Sequence, residues 1–186
     1  MYTSRLRRVY FLPFFEHVEG VRMKNPNANS PGYKKTKVGW IPVEWECVYL
    51  PDIATIKRGR FSYRPRNEPR FYGGPYPFVQ TGDVSAANIF IRAYTQTLNE
   101  EGLAISRLFP AGTILMTIAA NIGDCAILTF NSACPDSVVG IQVKRNHASV
   151  YFLTAYLNSI KDYYRYLAPR SAQQNINVEA LSQYQL

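Results

Sequence analysis

Histidine and cysteine are scarce in this chain, and their scarcity limits the chemistry that it can carry. Among 186 residues there are three cysteines, Cys47, Cys125 and Cys134, and two histidines, His17 and His147. An odd cysteine count without Cys-x-x-Cys spacing argues against a disulfide framework and against a structural zinc site. Because the histidines lie far apart in sequence and near no cysteine, we expect this chain to bind no metal ion or other cofactor.

Long apolar runs are also missing. A helix that spans a bilayer needs about 20 consecutive apolar residues, and no stretch of this sequence approaches that length. The basic and apolar stretch at residues 5–16 is unlike a complete secretory signal, because Pro13 and Glu16 interrupt it and no small-residue cleavage site follows. We therefore expect a cytoplasmic protein without membrane contact.

Acidic residues are outnumbered, and the imbalance lies in one part of the chain. The sequence has 21 Lys and Arg against 13 Asp and Glu, a formal net charge of +8. Residues 1–72 hold 14 of the basic and 6 of the acidic residues, whereas residues 73–186 hold 7 of each. Clustered positive charge attracts phosphate and releases its counterions, which favours a nucleic-acid partner. The alternative is a solvated basic arm that serves solubility alone.

A cluster of turn-forming residues separates the start of the chain from the rest. Residues 25–32 read Asn-Pro-Asn-Ala-Asn-Ser-Pro-Gly, a run that sustains neither a helix nor a strand. We therefore predict that residues 1–37 form an N-terminal arm, either flexible or docked. Residues 38–186 are predicted to form a single domain.

The predicted elements of that domain indicate the fold class. Runs typical of strands occur at residues 78–80, 89–94, 113–119, 124–130 and 138–143. Residues 149–167 carry apolar side chains at helical spacing, with Ser149 as the N-cap, and residues 57–76 are predicted to be a long irregular loop. The pattern predicts an α+β fold with a mixed, strongly twisted β-sheet, short helices and one long helix in the C-terminal half.

The predicted loop at residues 57–72 carries the clearest functional signal. It holds six cationic residues, one acid and four aromatic rings, and five of the six cations are arginines. Arginine binds phosphate, or forks onto O6 and N7 of guanine, whereas solubility alone does not require it. The rings either stack on an extruded base or pack the loop down. The DNA-binding candidates in this loop are Lys57, Arg58, Arg60, Tyr63, Arg64, Arg66 and Arg70.

Other candidates lie in three further segments, each with an alternative local role. Amide side chains pair with N6 and N7 of adenine, but they also satisfy the backbone of turns. For Gly82-Asp83 the sequence favours a turn stabilised by the aspartate. The remaining DNA-binding candidates are Gln80, Thr81, Asn121, Arg170, Gln173, Gln174 and Asn175.

Two alternatives to DNA recognition stay open on the residues alone. The first is a metal-dependent nuclease, suggested by Asp136 followed by Gln142, Val143 and Lys144. Gln142 stands where that signature needs an acid, and hard cations prefer carboxylate ligands. The second alternative is a protein-interaction domain that binds no nucleic acid.

Five segments, taken in order, carry a resemblance to a known family. They are residues 39–46 (Gly-Trp-Ile-Pro-Val-Glu-Trp-Glu), 76–84 (Tyr-Pro-Phe-Val-Gln-Thr-Gly-Asp-Val), 110–116 (Pro-Ala-Gly-Thr-Ile-Leu-Met), 121–127 (Asn-Ile-Gly-Asp-Cys-Ala-Ile) and 171–176 (Ser-Ala-Gln-Gln-Asn-Ile). Each piece is short, but the ordered set resembles the target recognition domains of type I restriction–modification specificity subunits.

The resemblance implies a non-catalytic domain that reads one half of a split site in double-stranded DNA. It also implies two partners: an adenine methyltransferase subunit that uses S-adenosylmethionine, and a restriction and motor subunit that uses ATP and Mg²⁺. The base-reading residues of the family vary with the target, so none is carried over by position. A complete subunit has two recognition domains joined by long helices. We therefore expect this chain to be either a fragment or a half-length subunit that self-associates.

Overall fold

The computed structural model describes residues 27–36, 38–167 and 177–183. The chain divides into two compact units, Met1–Cys47 and Val48–Leu186. The first unit contains an antiparallel hairpin of β1 (Tyr33–Thr36) and β2 (Gly39–Pro42). The predicted division after residue 37 falls in the turn of this hairpin, and the separation of an arm from a domain stays a prediction.

The second unit alternates short strands and short helices. Its elements follow in chain order: α1 (Leu50–Ile53), β3 (Ala54–Arg58), a 3₁₀ turn (Pro69–Phe71), β4 (Tyr72–Phe78), α2 (Thr81–Ala86), β5 (Phe90–Ile91), β6 (Gln96–Leu98), α3 (Glu100–Ala104), β7 (Arg107–Phe109), β8 (Ile114–Thr117), β9 (Cys125–Leu128), β10 (Ser132–Cys134), β11 (Val138–Val143), α4 (Val150–Ser159), α5 (Lys161–Leu167) and α6 (Val178–Ser182).

A five-stranded sheet in the order β3-β11-β8-β9-β5 forms the larger part of the core. Its central strands β8 and β9 are buried along their whole length. Ile114 and Met116 face one hydrophobic cluster, and Leu115 between them faces another. A strand that is covered on both faces reads as a continuous apolar run, which is why these strands were predictable.

Helices cover one face of this sheet. Leu153 and Leu157 of α4 are buried in the same cluster as Ile114. Ser149 is the N-cap of α4, and its hydroxyl accepts a hydrogen bond from the Phe152 amide at 3.4 Å. The single helix predicted across residues 149–167 is divided, since the backbone leaves helical geometry at the buried Ile160 (φ −106°, ψ 14°).

A second sheet, in the order β6-β4-β10-β7, packs beside the first. Strands β4 and β10 are parallel, with Ala133 opposite Phe78, and β7 runs antiparallel to β10. The ring of Phe109, the last residue of β7, lies against Gly140 of β11. A Cβ atom at Gly140 would approach its ring carbon Cε1 to 2.3 Å. The two sheets therefore meet at a ring-on-glycine contact that a larger residue at position 140 would disrupt.

The architecture confirms the predicted α+β class, with mixed sheets and short helices. The irregular loop predicted over residues 57–76 is too long, because β3 ends at Arg58 and β4 begins at Tyr72. Within the part of the chain that the structure describes, no helix combines the length and the apolar character needed to cross a membrane.

The buried thiols provide a test of this core. Cys125 and Cys134 are buried, and loss of solvation raises the pKa of each thiol far above its ordinary value. We expect neither thiol to react with Ellman's reagent in the native chain at mildly alkaline pH, because the reagent needs an accessible thiolate. Both should react after denaturation. The measurement uses the Cys47→Ser variant, so that any native-state labelling reports on these two residues.

The same shift predicts a pH dependence of stability. A thiol whose folded-state pKa is raised favours the folded state below the ordinary thiol pKa. That contribution declines as the pH rises above the ordinary thiol pKa, because the thiols then ionise in the unfolded chain and stay protonated in the folded one. Labelling of folded Cys47→Ser at the rate of a free thiol would contradict the packing described here.

Candidate nucleic-acid interface

A close backbone contact at Gly59 positions the arginine-rich segment. The Gly59 amide donates to the Val138 carbonyl at 2.8 Å, and the next amide, that of Arg60, donates to the Cys134 carbonyl at 2.9 Å. A Cβ atom at position 59 would lie 2.1 Å from the Pro135 carbonyl oxygen. Only glycine allows the end of β3 to press this closely on the turn between β10 and β11.

Aromatic rings anchor the segment from beneath. Phe61 and Phe71 are 1% and 3% exposed. The Phe61 ring centroid lies 5.9 Å from that of Phe71 and 5.4 Å from that of Phe78 on β4. Of the two roles considered for the rings, packing the loop down is therefore the one that Phe61 and Phe71 have.

Arginines converge on Asp136 above this anchor. Arg64 Nη2 lies 2.9 Å from Asp136 Oδ2, and Arg66 Nη2 pairs with Oδ1 of the same carboxylate. Arg58 Nε donates to the Asp136 carbonyl at 2.5 Å, and Arg107 Nη1 donates to the Arg58 carbonyl. We refer to Arg58, Arg64, Arg66, Arg107 and Asp136 as the arginine cluster. Its side chains carry four positive charges and one negative charge.

The arginine cluster is ordered but accessible. The side chains of Arg64 and Arg66 are 51% and 44% exposed, and that of Asp136 is 30% exposed. Ion pairs in contact with water contribute only about 0–1 kcal/mol each. The arginines are therefore held in place without losing their capacity to bind an external anion.

The remaining candidates of this segment lie around the cluster or beside it. Arg60 Nη2 donates to the Ser106 carbonyl at 3.0 Å, and Lys57 is an exposed residue of β3. The Arg70 guanidinium stacks on two rings, 4.9 Å from the centroid of Tyr63 and 4.6 Å from that of Phe71. The Tyr63 ring centroid lies 4.8 Å from that of Phe71, so Tyr63 contacts both the aromatic anchor and a cation.

Strand pairing brings Gln80 and Thr81 to the same edge as the cluster. Because β4 and β10 are parallel and Phe78 lies opposite Ala133, both chains leave the sheet at the same end. Gln80 follows β4, and Asp136 follows β10. The backbone amide of Gln80 donates to Asp83 Oδ2 at 2.8 Å. Gln80 is the N-cap of α2, so this hydrogen bond lies at the start of the helix. The aspartate thus stabilises the chain reversal, as the sequence favoured.

Asn121 reaches this edge by way of the larger sheet. Thr117, the last residue of β8, pairs with Val138, the first residue of β11. The turn that follows β8 therefore lies at the end of the sheet where Asp136 precedes β11. The Ile118 amide donates to the Ser137 carbonyl at 3.0 Å, and Asn121 is exposed, with its amide donating to Ser85 Oγ at 3.2 Å.

Four of the predicted residues lie outside the part of the chain that the structure describes. One residue of the arginine cluster was not predicted from the sequence. Arg170, Gln173, Gln174 and Asn175 lie outside the described residues, and their role stays a prediction. Arg107 was not predicted, because it is an isolated cation in its own sequence context. The pairing of Arg107 with Cys134 across β7 and β10, and the hydrogen bond from its backbone amide to the Arg60 carbonyl at 3.2 Å, bring it to the cluster.

The geometry argues against the nuclease alternative. Asp136 and Lys144 lie beyond opposite ends of the six-residue strand β11, which is about 20 Å long at the usual rise per residue. Lys144 Nζ donates to the carbonyls of Pro51 and Asp52 at 2.8 and 3.1 Å, and the Asp136 carboxylate is paired with arginines. Among the described residues, no three His, Cys, Asp or Glu side chains form a group able to hold a metal ion.

Comparison with known proteins gives one consistent family. Residues 42–186 match the type I restriction modification DNA specificity domain. The type I restriction enzyme MjaIX specificity subunit of Methanocaldococcus jannaschii is 31% identical over 98 residues, which are 51% of this chain and 22% of that protein. The putative MjaX specificity subunit of the same organism is 26% identical over 135 residues, covering 73% of this chain and 30% of that protein.

Solved structures show the same fold at lower identity. The HsdS subunit from Thermoanaerobacter tengcongensis superimposes with a TM-score of 0.60 at 17% identity, covering 83% of this chain and 35% of that one. The type I restriction–modification S subunit from M. genitalium gives 0.55 at 15% identity, covering 76% and 33%. The chain spans less than a third of the length of the two M. jannaschii relatives.

The Gly59 contact predicts a measurable cost of adding one methyl group. Gly59→Ala should lower the free energy of unfolding by about 1–3 kcal/mol, because the new Cβ would overlap a backbone carbonyl that cannot rotate away. The matched control is Gly82→Ala, where no atom lies within 4 Å of the added Cβ and α2 should gain about 0.5–1 kcal/mol. Urea unfolding of the full chain, followed by circular dichroism, measures both. Equal midpoints would show that the Gly59 segment can move off the turn at no cost.

Proposed function

The chain belongs to the family of type I restriction–modification DNA specificity domains, and from this premise we propose that it recognises one half-site in double-stranded DNA. The observation that carries the proposal is the arginine cluster on the edge where β4, β8 and β10 end. Three segments that are distant in sequence present cations and amides there together. The chain would act as one half, or as part, of a specificity subunit.

The chemistry of this edge suits both parts of DNA recognition. Exposed guanidinium groups such as those of Arg64 and Arg66 bind phosphate oxygens, which gives affinity without sequence preference. A fork onto O6 and N7 of guanine, or an amide onto N6 and N7 of adenine, gives specificity. Arg60, Gln80 and Asn121 are the candidates for base contact, because they lie at the edge and carry hydrogen-bonding groups of the required kinds.

Other roles extend the proposal to the whole enzyme. We propose that the chain catalyses nothing itself and that it directs an adenine methyltransferase subunit, which would supply S-adenosylmethionine chemistry. A restriction and motor subunit would use ATP and Mg²⁺. Such an assembly acts on chromosomal or incoming DNA and would therefore work in the cytoplasm. An isolated half-site domain should bind DNA weakly and with strong salt dependence.

Alanine variants in the arginine cluster test the DNA interface. Arg64→Ala and Arg66→Ala should each weaken binding to a random-sequence duplex, and each should reduce the slope of log K against log salt by about one if its contact is to phosphate. A base-reading arginine should instead cost about 1–3 kcal/mol on the preferred site and relax specificity there. Fluorescence anisotropy over a salt series measures both quantities.

Arg92→Ala is the matched control for charge. Arg92 follows β5, at the edge of the five-stranded sheet opposite to β3, and its guanidinium lies over the Phe90 ring. The Arg92→Ala substitution removes the same charge from a different surface, so binding to the duplex should change little. A loss as large as that of Arg64→Ala would show that only overall charge matters, and the proposed interface would be wrong.

Replacement of the corresponding domain in an intact type I enzyme tests the function as a whole. The chimera should methylate adenine at a new sequence in which one half-site changes and the other is retained. Sequencing that detects methylated bases reads the result directly. Methylation at the original site, by a chimera that is folded and assembled, would contradict sequence recognition by this chain.

A further inference from the structure

The two carboxylate oxygens of Asp136 are divided between two arginines. Arg64 Nη2 lies 2.9 Å from Oδ2, and Arg66 Nη2 contacts Oδ1. The arrangement is that of two guanidinium groups converging on one small anion with paired oxygens. A phosphodiester also presents two terminal oxygens on one atom, with one negative charge between them, and arginine recognises both groups in the same way.

Arg64 is held in this position by more than the carboxylate. Its Nη1 donates to the carbonyls of Phe61 and Tyr63 at 2.6 and 2.7 Å. Phe61 is buried in the aromatic anchor, so this end of the guanidinium is fixed to the core. Asp136 lies on the turn between β10 and β11, and its side chain is 30% exposed. The side chains of Arg64 and Arg66 are more exposed, at 51% and 44%, and the carbonyl contacts of Arg64 do not involve the carboxylate. Arg64 can therefore keep its position when an external anion replaces Asp136.

We propose that Arg64 and Arg66 form a binding site for a single phosphodiester group and that Asp136 occupies this site in the free protein. The identification of the phosphodiester with the DNA backbone rests on the proposed function. The resident carboxylate orders both side chains before binding, and any phosphate must displace it. Asp136 thus reduces affinity for DNA of every sequence, and only a site that adds base contacts overcomes the competition.

Removal of the carboxylate charge tests the site with a random-sequence duplex. Asp136→Asn should bind about fivefold more tightly at low salt, the size expected for a carboxylate that makes two exposed ion pairs. It should also steepen the dependence of log K on log salt by about one, for one added phosphate contact. The gain should be absent when Arg64→Gln and Arg66→Gln are also present. Fluorescence anisotropy of the full chain gives all of these values.

Asp162→Asn is the matched control. It makes the same change in net charge and removes an exposed carboxylate that also pairs with an arginine, Arg165, on α5. We expect it to bind the duplex as the wild type does. If Asp162→Asn gains as much as Asp136→Asn, or if the Asp136→Asn gain persists without Arg64 and Arg66, the aspartate acts through overall repulsion and the proposal is overturned. Unchanged affinity and slope in Asp136→Asn also overturn it, while DNA binding by the wild type would leave the proposed function intact.

A second arm uses inorganic sulfate and does not depend on DNA. Sulfate should raise the melting temperature of Asp136→Asn more than that of the wild type, and the difference should vanish without the two arginines. If the wild type binds no DNA, the proposed function fails and this arm alone decides the anion site. Should Asp136→Asn not fold, Asp136→Ser replaces it. If neither folds, Asp136 is a structural residue and the proposal is overturned.

Discussion

The turn between β10 and β11 is the constraint on which the rest of the second unit depends. β10 belongs to the four-stranded sheet and β11 to the five-stranded sheet, so the turn carries the chain from one to the other. The end of β3 is bonded to this turn through the amides of Gly59 and Arg60. The residues after β4 and β8 arrive beside it because of strand register. The arginine cluster exists because all these segments share one edge.

Packing and charge are separated within the arginine-rich segment. Its phenylalanines point into the core, and its guanidinium groups remain in water, so the backbone can be rigid while the surface stays free to bind. Arginine suits this design better than lysine, because a planar guanidinium can donate to carbonyls with one edge and to an anion with another. Arg64 does both at once, on Phe61, Tyr63 and Asp136.

The sequence predicted those elements whose own residues carry the signal. Strands β8, β9 and β11 were predictable because both faces are covered, and Ser149 was recognisable as a cap. Strands β6, β7 and β10 have three residues each and exist only through their partners, so no local pattern marks them. The break at Ile160 was not predicted because the apolar residues keep their helical spacing across it, so the local pattern indicates one continuous helix. The arginines of the loop were identified by composition, but Arg107 could be found only through pairing.

Asp136 shows how a residue's meaning depends on contacts that the sequence does not display. As one acid near a lysine it suggested a metal ligand, and 72 residues separate it from the arginine that defines its environment. In the folded chain its neighbours are arginines. A carboxylate in this environment competes with external anions for the arginines and is not placed to bind a metal ion. Exposed side chains at this edge can be replaced at little cost to the fold, whereas Gly59 cannot. The edge that carries the arginine cluster is therefore tolerant of substitution at its exposed side chains and constrained at the backbone turn that assembles it.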